Sequence, residues 1–194
     1  GCFDWCPDGG AIVYVASDGD LWLQPVPGGA PRRIAAVAAL GGAPGRRAES
    51  PVVSRDGEFV VAAVDQAEIW RWWIDGSLPP ERLDDGSADF VLDPYITTCG
   101  TTLLWQAWNV PDMPWDGSRV QRITFDGGIR DEFRAAGAMQ QLRNMPDGSG
   151  ICVRDDTGWL NLWHGDAPLV DEPFEHAGPT WGPGQRSFAV SPDG

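Results

Sequence analysis

The stretch Cys6-Pro7-Asp8-Gly9-Gly10-Ala11-Ile12-Val13-Tyr14-Val15 joins a tight-turn sequence to a short apolar run. Proline presets φ at the second turn position, aspartate hydrogen-bonds nearby backbone, and glycine tolerates positive φ. A short apolar run that is rich in β-branched residues and bounded by turn residues is typical of a buried strand. The stretch therefore predicts a tight turn followed by a strand that is buried on both faces.

The same turn recurs four more times along the chain, and one of the copies is degenerate. The copies are Ser54-Arg55-Asp56-Gly57, Thr97-Thr98-Cys99-Gly100, Met145-Pro146-Asp147-Gly148 and Ser191-Pro192-Asp193-Gly194. Successive turn glycines are 48, 43, 48 and 46 residues apart. Further apolar runs follow the turns at 59–64, 103–108 and 151–153. A period of this length indicates a repeat architecture.

A second marker repeats within each period. Asp20-Leu21-Trp22 and Glu68-Ile69-Trp70 each begin shortly after a turn glycine, and Asn161-Leu162-Trp163 occupies the corresponding place later in the chain. A further short strand closes some periods, as at 32–34 and 81–83. Each period thus predicts a four-stranded antiparallel unit. We expect Trp22, Trp70 and Trp163 to fill the space between neighbouring sheets, because large rings suit that position.

One such unit cannot bury both of its faces, so units of this kind stack around an axis. The sequence predicts an all-β fold, a partial β-propeller of about four four-stranded blades plus the first strand of a fifth. The predicted units are 1–48, 49–92, 93–137 and 138–186, with the next blade starting at 187–194. Both ends of the sequence resemble interrupted strands, so we expect a segment of a longer polypeptide that self-associates through unpaired edges.

Composition limits the classes of partner. The chain has 28 acidic residues against 14 basic ones, a net charge of −14, which argues against nucleic-acid and membrane-surface partners. Four cysteines, Cys2, Cys6, Cys99 and Cys152, have neither metal-ligand spacing nor a CxxC pair. We expect reduced thiols in a cytoplasmic protein without a cofactor; the alternative is a disulfide from Cys2 to a distant partner.

Candidate catalytic groups are few. Gly148-Ser149-Gly150 comes nearest to a nucleophile elbow but falls in a predicted hairpin turn, and both His164 and His176 fall in predicted loops. We expect two surface histidines with no nucleophile in reach, and no catalytic residue in this chain. The aspartates at 18 and 20, 84 and 85, and 155 and 156 are interpreted as turn residues, with a bound cation as the alternative.

Three stretches carry a resemblance to a known family. The insertion Trp108-Asn109-Val110-Pro111-Asp112-Met113-Pro114-Trp115-Asp116-Gly117 resembles a W-D-H-P-x-M-P-W-D-G segment of bacterial acylaminoacyl-peptidase-like members of the prolyl oligopeptidase family. Residues 156–163 resemble its D-R-T-G-W-x-N-L-Y strand, and residues 178–190 resemble its G-P-x-W…Y-A-F region. Asn109 and Val110 depart from the pattern. The repeated turn itself is also similar to that of TolB-like propellers.

The resemblance implies a propeller joined to an α/β-hydrolase domain that carries a Ser, Asp, His triad and cleaves short peptides. That domain is absent from these 194 residues. The propeller would then gate the peptide substrate and pack against the hydrolase domain within the same molecule. The insertion residues are the candidates for the gate or the domain interface: Trp108, Asn109, Met113, Pro114, Trp115 and Asp116.

Three alternatives stay open at this point. The insertion could serve only to pack against its own blade. The whole chain could be a TolB-like propeller that binds a protein or peptide and has no hydrolase attached. A more remote alternative is a propeller enzyme that uses a loop carboxylate such as Asp84.

Overall fold

The computed structural model describes residues 2–191, which form four antiparallel sheets of four strands each. The chain divides after Ser87 into two compact units, and each unit contains two of the sheets. Strands follow chain order across every sheet. The all-β class is therefore confirmed, and the four sheets are consistent with a partial β-propeller. No helix within residues 2–191 is long and apolar enough to cross a membrane.

The first unit contains the first and second sheets. The first sheet consists of β1 (Phe3–Trp5), β2 (Ala11–Val15), β3 (Leu21–Pro25) and β4 (Arg32–Ala35). A short 3-10 helix, Val37–Leu40, follows it. The second sheet consists of β5 (Ala48–Val53), β6 (Phe59–Val64), β7 (Glu68–Trp73) and β8 (Glu81–Arg82).

The second unit contains the third and fourth sheets. The third sheet consists of β9 (Phe90–Ile96), β10 (Thr102–Trp108), β11 (Arg119–Thr124) and β12 (Arg130–Phe133), with the single-turn helix α1 (Pro114–Gly117) between β10 and β11. The fourth sheet consists of β13 (Met139–Asn144), β14 (Gly150–Arg154), β15 (Asn161–His164) and β16 (Ala167–Pro168). Residues 187–191 contain no strand, and 192–194 lie outside the described residues, so the fifth blade stays a prediction.

The first two strands of each sheet are joined by the repeated tight turn. In all four turns the glycine N–H donates to the carbonyl three residues earlier, and the glycine φ is positive: Gly9, Gly57, Gly100 and Gly148. In the degenerate third copy, Cys99 occupies the place of the aspartate. Its Sγ lies 3.2 Å from the Thr97 hydroxyl and 3.1 Å from the Thr101 hydroxyl. A thiol thus takes over the role that Asp56 has beside the Ser54 hydroxyl.

Cores form between adjacent sheets within each unit. Val13 and Leu21 pack with residues of the second sheet, and Trp70 packs against this core. Trp163 packs against the corresponding core between the third and fourth sheets. Trp22 is instead partly exposed, and its indole N–H donates to an Asp18 carboxylate oxygen at 3.3 Å.

The predicted burial on both faces is right for β6, which is buried along its whole length, and wrong for β2. In β2 only Ala11 and Val13 are buried. Ile12 and Tyr14 alternate with them, so they point to the other face of the sheet and stay partly exposed. The cause is that the second sheet packs against one face of the first.

A feature that the sequence analysis did not predict repeats in the first strands of three sheets. Ser50, Asp93 and Gln141 are buried, and each has φ in the left-handed region, at 48°, 55° and 56°. Each lies seven residues before its turn glycine, where the pairing register of the strand shifts. A β-bulge of this kind re-aims the side chain, and non-glycine residues adopt such a φ only when the surrounding structure holds them there.

Candidate functional site

The insertion between β10 and β11 is fixed at its base by polar contacts. Asp89 accepts hydrogen bonds from the Val110 N–H at 3.0 Å and from the Asn109 side-chain amide at 3.4 Å. The side-chain oxygen Oδ1 of Asn109 accepts a hydrogen bond from the Arg119 guanidinium at 2.8 Å. Asn109, which departs from the family pattern, therefore ties the insertion to the start of β11.

The turn of α1 closes tightly over the loop before it. A Cβ atom at position 117 would collide with the Asp112 carboxylate, so a larger residue there would force the exposed Asp112 side chain to move. Pro114 is buried, and its carbonyl accepts a hydrogen bond from the buried Gln106 side chain at 3.4 Å. The insertion is thus an ordered element of the third sheet.

Apolar side chains of the insertion face solvent together with one later residue. Val110 is 67% exposed, Met113 41% and Trp181 66%, while Trp115 is half-buried. The Trp115 and Trp181 ring centroids are 4.3 Å apart, with the ring planes inclined by 50°. We call these four residues the Trp115–Trp181 surface. Exposed apolar groups that cluster in this way mark contact surfaces.

The other predicted site residues have different environments. Trp108 is buried and stacks on Phe90, with ring centroids 5.2 Å apart. Asp116 is exposed on α1, where its backbone N–H donates to the Met113 carbonyl at 2.9 Å. The structure therefore brings Met113, Trp115 and Asp116 to the surface and places Trp108 in the core.

Two buried glutamines hold the loop that carries Trp181. Gln140 accepts hydrogen bonds from the Thr180 N–H at 3.1 Å and the Thr180 hydroxyl at 2.5 Å. Gln141 accepts one from the Ser187 N–H at 2.8 Å and donates to the Ser187 hydroxyl at 3.2 Å. Sequence reasoning missed both residues; the available signal was a pair of adjacent amides shortly before the turn at 145–148.

Asp93, Arg143 and Arg186 form a charged cluster beside this loop. Asp93 is 6% exposed and accepts two bonds from Arg143, at 2.8 and 2.9 Å. Arg186 lies 2.8 Å from the same carboxylate. Burial lowers the pKa of Arg186 below its usual value and the Arg143 charge lowers it further, whereas Asp93 opposes both effects. We call these residues the Asp93 cluster.

The prediction that neither histidine has a nucleophile in reach is wrong for His164. The Ser149 Oγ lies 2.6 Å from His164 Nε2, because the pairing of β14 with β15 brings the two ends of the hairpin together. Ser149, however, donates its proton to Asp147 at 2.5 Å. The serine therefore lies between the carboxylate and the imidazole, whereas a catalytic triad places the histidine between the serine and the carboxylate.

His176 is exposed, as predicted, and its Nε2 lies 2.6 Å from the Glu172 carboxylate. No hydroxyl or thiol in the described part of the chain has a recorded hydrogen bond to this ring. The contact is a local hydrogen bond between residues four apart, which gives the ring a structural role in the loop after β16.

A cleft of about 720 Å³ lies between the third and fourth sheets. Leu104, Met139 and Cys152 contribute to its apolar lining, and Cys99 lies at its edge. Hydrogen bonds from Thr101 and Thr97 lower the pKa of the exposed Cys99 thiol to about 7. Burial raises the pKa of Cys152 to about 12. The cysteines Cys2, Cys6, Cys99 and Cys152 are all free thiols.

Asp18 and Asp85 each accept the backbone N–H two residues later, as turn residues do, whereas other members of the aspartate pairs accept N–H groups 15 to 20 residues away. Asp84 accepts the Ile69 N–H at 2.7 Å, and Asp20 accepts the Val37 N–H at 2.8 Å. Asp156 accepts the Ala136 N–H at 2.9 Å. Within residues 2–191, no group of three or more His, Cys, Asp or Glu side chains has a geometry suited to a metal ion.

Comparison with known protein families finds no matching family, and comparison with curated proteins finds no match. Solved structures do match. A puromycin hydrolase is 28% identical with a TM-score of 0.79, over 95% of this chain and 32% of that one. The chain is similar to one portion of a larger hydrolase. It spans about a third of the length of that relative.

Two further structures extend the comparison. A puromycin-hydrolyzing peptidase from Mycobacterium tuberculosis is 25% identical with a TM-score of 0.73, over 90% of this chain and 30% of that one. TolB from Acinetobacter baumannii is 16% identical with a TM-score of 0.64, over 91% of this chain and 44% of that one. The TolB likeness concerns the fold alone.

Proposed function

We propose that this chain is the non-catalytic β-propeller portion of a cytoplasmic serine peptidase of the prolyl oligopeptidase type. Its roles are to gate access of short peptides and to pack against the α/β-hydrolase domain of the same molecule. The observation that carries the proposal is the match of 95% of this chain to 32% of a puromycin hydrolase chain. The remaining two thirds of such a protein would carry the catalytic groups.

The geometry of the polar groups supports a non-catalytic role. Ser149 and His164 are the only serine and histidine in the described residues with a recorded hydrogen bond to one another, and the order Asp147, Ser149, His164 is not that of a catalytic triad. Peptide hydrolysis would therefore be carried out by the hydrolase domain.

The Trp115–Trp181 surface supports the packing role. It combines a rigid loop with exposed indole and thioether groups, and aromatic residues and methionine are enriched at protein interfaces. A domain that covers this surface would remove the apolar groups from water. The insertion would then border the route by which a peptide reaches the hydrolase.

The test is to sequence the complete reading frame and assay the encoded protein. We expect a G-x-S-x-G elbow followed by Asp and His downstream, and hydrolysis of puromycin and short aminoacyl peptides. Replacing the elbow serine by alanine is the control and should abolish turnover. A frame that ends after one or two further blades, with an export signal upstream, would overturn the proposal and leave a TolB-like binding propeller.

The gating role is tested by a separate kinetic measurement on the same protein. Replacing Met113 and Trp115 by alanine should change KM, and the longest peptide accepted, more than kcat for the shortest substrate. A matched pair of substitutions at Val26 and Leu78, which are exposed apolar residues of the first unit, should leave these parameters unchanged. Equal effects of the two pairs would rule out a gate at the insertion.

A further inference from the structure

The Asp93 cluster contains more positive than negative charge. Two guanidinium groups, of Arg143 and Arg186, share the single carboxylate of Asp93. No other carboxylate within residues 2–191 forms a recorded ion pair with either arginine. The cluster therefore carries a local charge of about +1 in a chain whose net charge is −14.

The excess charge is accessible at Arg186. The Arg186 side chain is 42% exposed, whereas Arg143 is 13% and Asp93 is 6% exposed. The hydrogen bonds to Asp93 fix the position of Arg143. The Arg143 guanidinium also lies 4.8 Å from the centroid of the Tyr95 ring. An anion that arrives from solvent would meet Arg186 first.

Arg186 is also held in position before any ligand arrives. The adjacent Ser187 is bound by the buried Gln141, and the preceding Gln185 accepts hydrogen bonds from the N–H groups of Trp181 and Gly182. Hydrogen bonds therefore hold the loop in place on both sides of Arg186. Preorganisation of this kind lowers the ordering cost of binding.

The unliganded cluster leaves the Arg186 charge incompletely satisfied. Arg186 contacts the Asp93 carboxylate and donates from Nη1 to the Gln185 carbonyl at 2.8 Å, and the rest of its guanidinium is open to solvent and to a ligand. A bound monoanion would bring the net charge of the cluster to zero, whereas a bound phosphate dianion would make it negative. Arginine and carboxylate match in geometry, because the planar guanidinium can donate two parallel hydrogen bonds.

We propose that Arg186, positioned by Asp93 and Arg143, binds the carboxylate of a short peptide. This inference rests on the proposed function and adds a substrate feature to it. Peptides with a free C-terminal carboxylate should be favoured over peptides in which that group is blocked.

The test compares Ala-Ala-Phe with its C-terminal amide. The protein of the complete reading frame is treated with an organophosphorus inhibitor of serine hydrolases and titrated with each peptide by calorimetry. We expect the free acid to bind about tenfold or more tightly than the amide, as a charge-assisted pair would give. Arg186→Gln should remove that preference, and Arg186→Lys should retain part of it.

Arg134→Gln is the matched control. Arg134 is an exposed arginine of the same unit that already pairs with Glu132, so its loss should leave the preference unchanged. Circular dichroism checks that each variant is folded. Equal affinity for acid and amide, a preference that survives Arg186→Gln, or no binding of either peptide would overturn the inference.

A competition arm distinguishes the source of the anion. Inorganic phosphate and acetate are added at the peptide concentration, and displacement of the peptide by phosphate would show a general anion site and overturn the peptide assignment. The inhibitor keeps hydrolysis out of the measurement. Failure of the carboxylate site therefore stays separate from failure of the peptidase proposal, which is decided by the reading frame and by turnover.

Discussion

The Trp115 and Trp181 rings pack at a centroid distance of 4.3 Å, although one belongs to the insertion after β10 and the other to the loop after β16. This contact joins two loops that are far apart in the sequence. The contact therefore links the stability of the insertion to that of the later loop.

Loss of this ring pair should destabilise the second unit measurably. Trp181→Ala should lower the free energy of unfolding by about 1 kcal/mol, because an aromatic pair contributes roughly that much beyond its buried area. Urea unfolding followed by far-UV circular dichroism measures the change. Trp159→Ala, at an exposed tryptophan of the same unit, is the control and should cost less than about 0.5 kcal/mol.

A double-mutant cycle with Trp115→Ala separates the pair from the two single losses. The two substitutions together should cost less than the sum of their separate effects, because either one already removes the contact. Additive effects would contradict the packing of the two rings.

Gly117→Ala should disrupt the insertion, because the new Cβ collides with the Asp112 carboxylate. Overpacking of this kind costs about 1–3 kcal/mol. Limited proteolysis should show faster cleavage at the insertion. The rescue is Asp112→Ala in the same chain, which removes the colliding carboxylate; if it restores no resistance, the collision is not the cause.

Cys99 should be alkylated rapidly at neutral pH. Its pKa of about 7 lies below that of an ordinary thiol, so the thiolate forms as the pH rises through 7. The rate of iodoacetamide modification, followed by mass spectrometry at each pH, should have its midpoint near there. Thr97→Val with Thr101→Val should move the midpoint upward, since the hydroxyl hydrogen bonds are the main cause of the shift. An unchanged midpoint would refute that cause.

Asp93→Asn should destabilise the second unit by about 2–3 kcal/mol, because it leaves two arginines without a carboxylate. The expected loss in the free energy of unfolding is smaller than for a fully buried ion pair, because Arg186 is partly exposed. Thermal and urea unfolding measure the change. Asp166→Asn is the control: Asp166 pairs with Arg154 but is fully exposed, so its loss should have little effect. Equal losses for the two variants would argue against a structural role of the cluster.

The sequence predicts the strands well because the signal for them is local. A turn glycine followed by a β-branched run is contained within a few residues, and it recurs with a regular period. The bulge residues Ser50, Asp93 and Gln141 escape prediction because their side chains share no chemistry. Only the register shift in the paired strands shows that they are equivalent.

Part of the candidate site can likewise be predicted from the local sequence, and part cannot. The exposure of Met113 and Trp115 follows from a proline-stiffened insertion with apolar residues, which is a local property. The partner Trp181, and the meeting of Asp93 with Arg143 and Arg186, depend on contacts between residues that are many positions apart. Composition and spacing carry no information about such contacts.

The bulges in the first strands of the third and fourth sheets also bear on how these repeats can be rearranged in evolution. Asp93 contacts Arg143 of the following sheet, and Gln141 contacts Ser187 of the segment after the last sheet. Two of the three bulge side chains, those of Asp93 and Gln141, are thus complementary to the segment that follows their own sheet. Recombination that duplicated, deleted or transplanted the third or the fourth sheet would separate these complementary groups. We therefore expect the order of these two sheets to be constrained in evolution, even though every repeat is built from the same turn and strands.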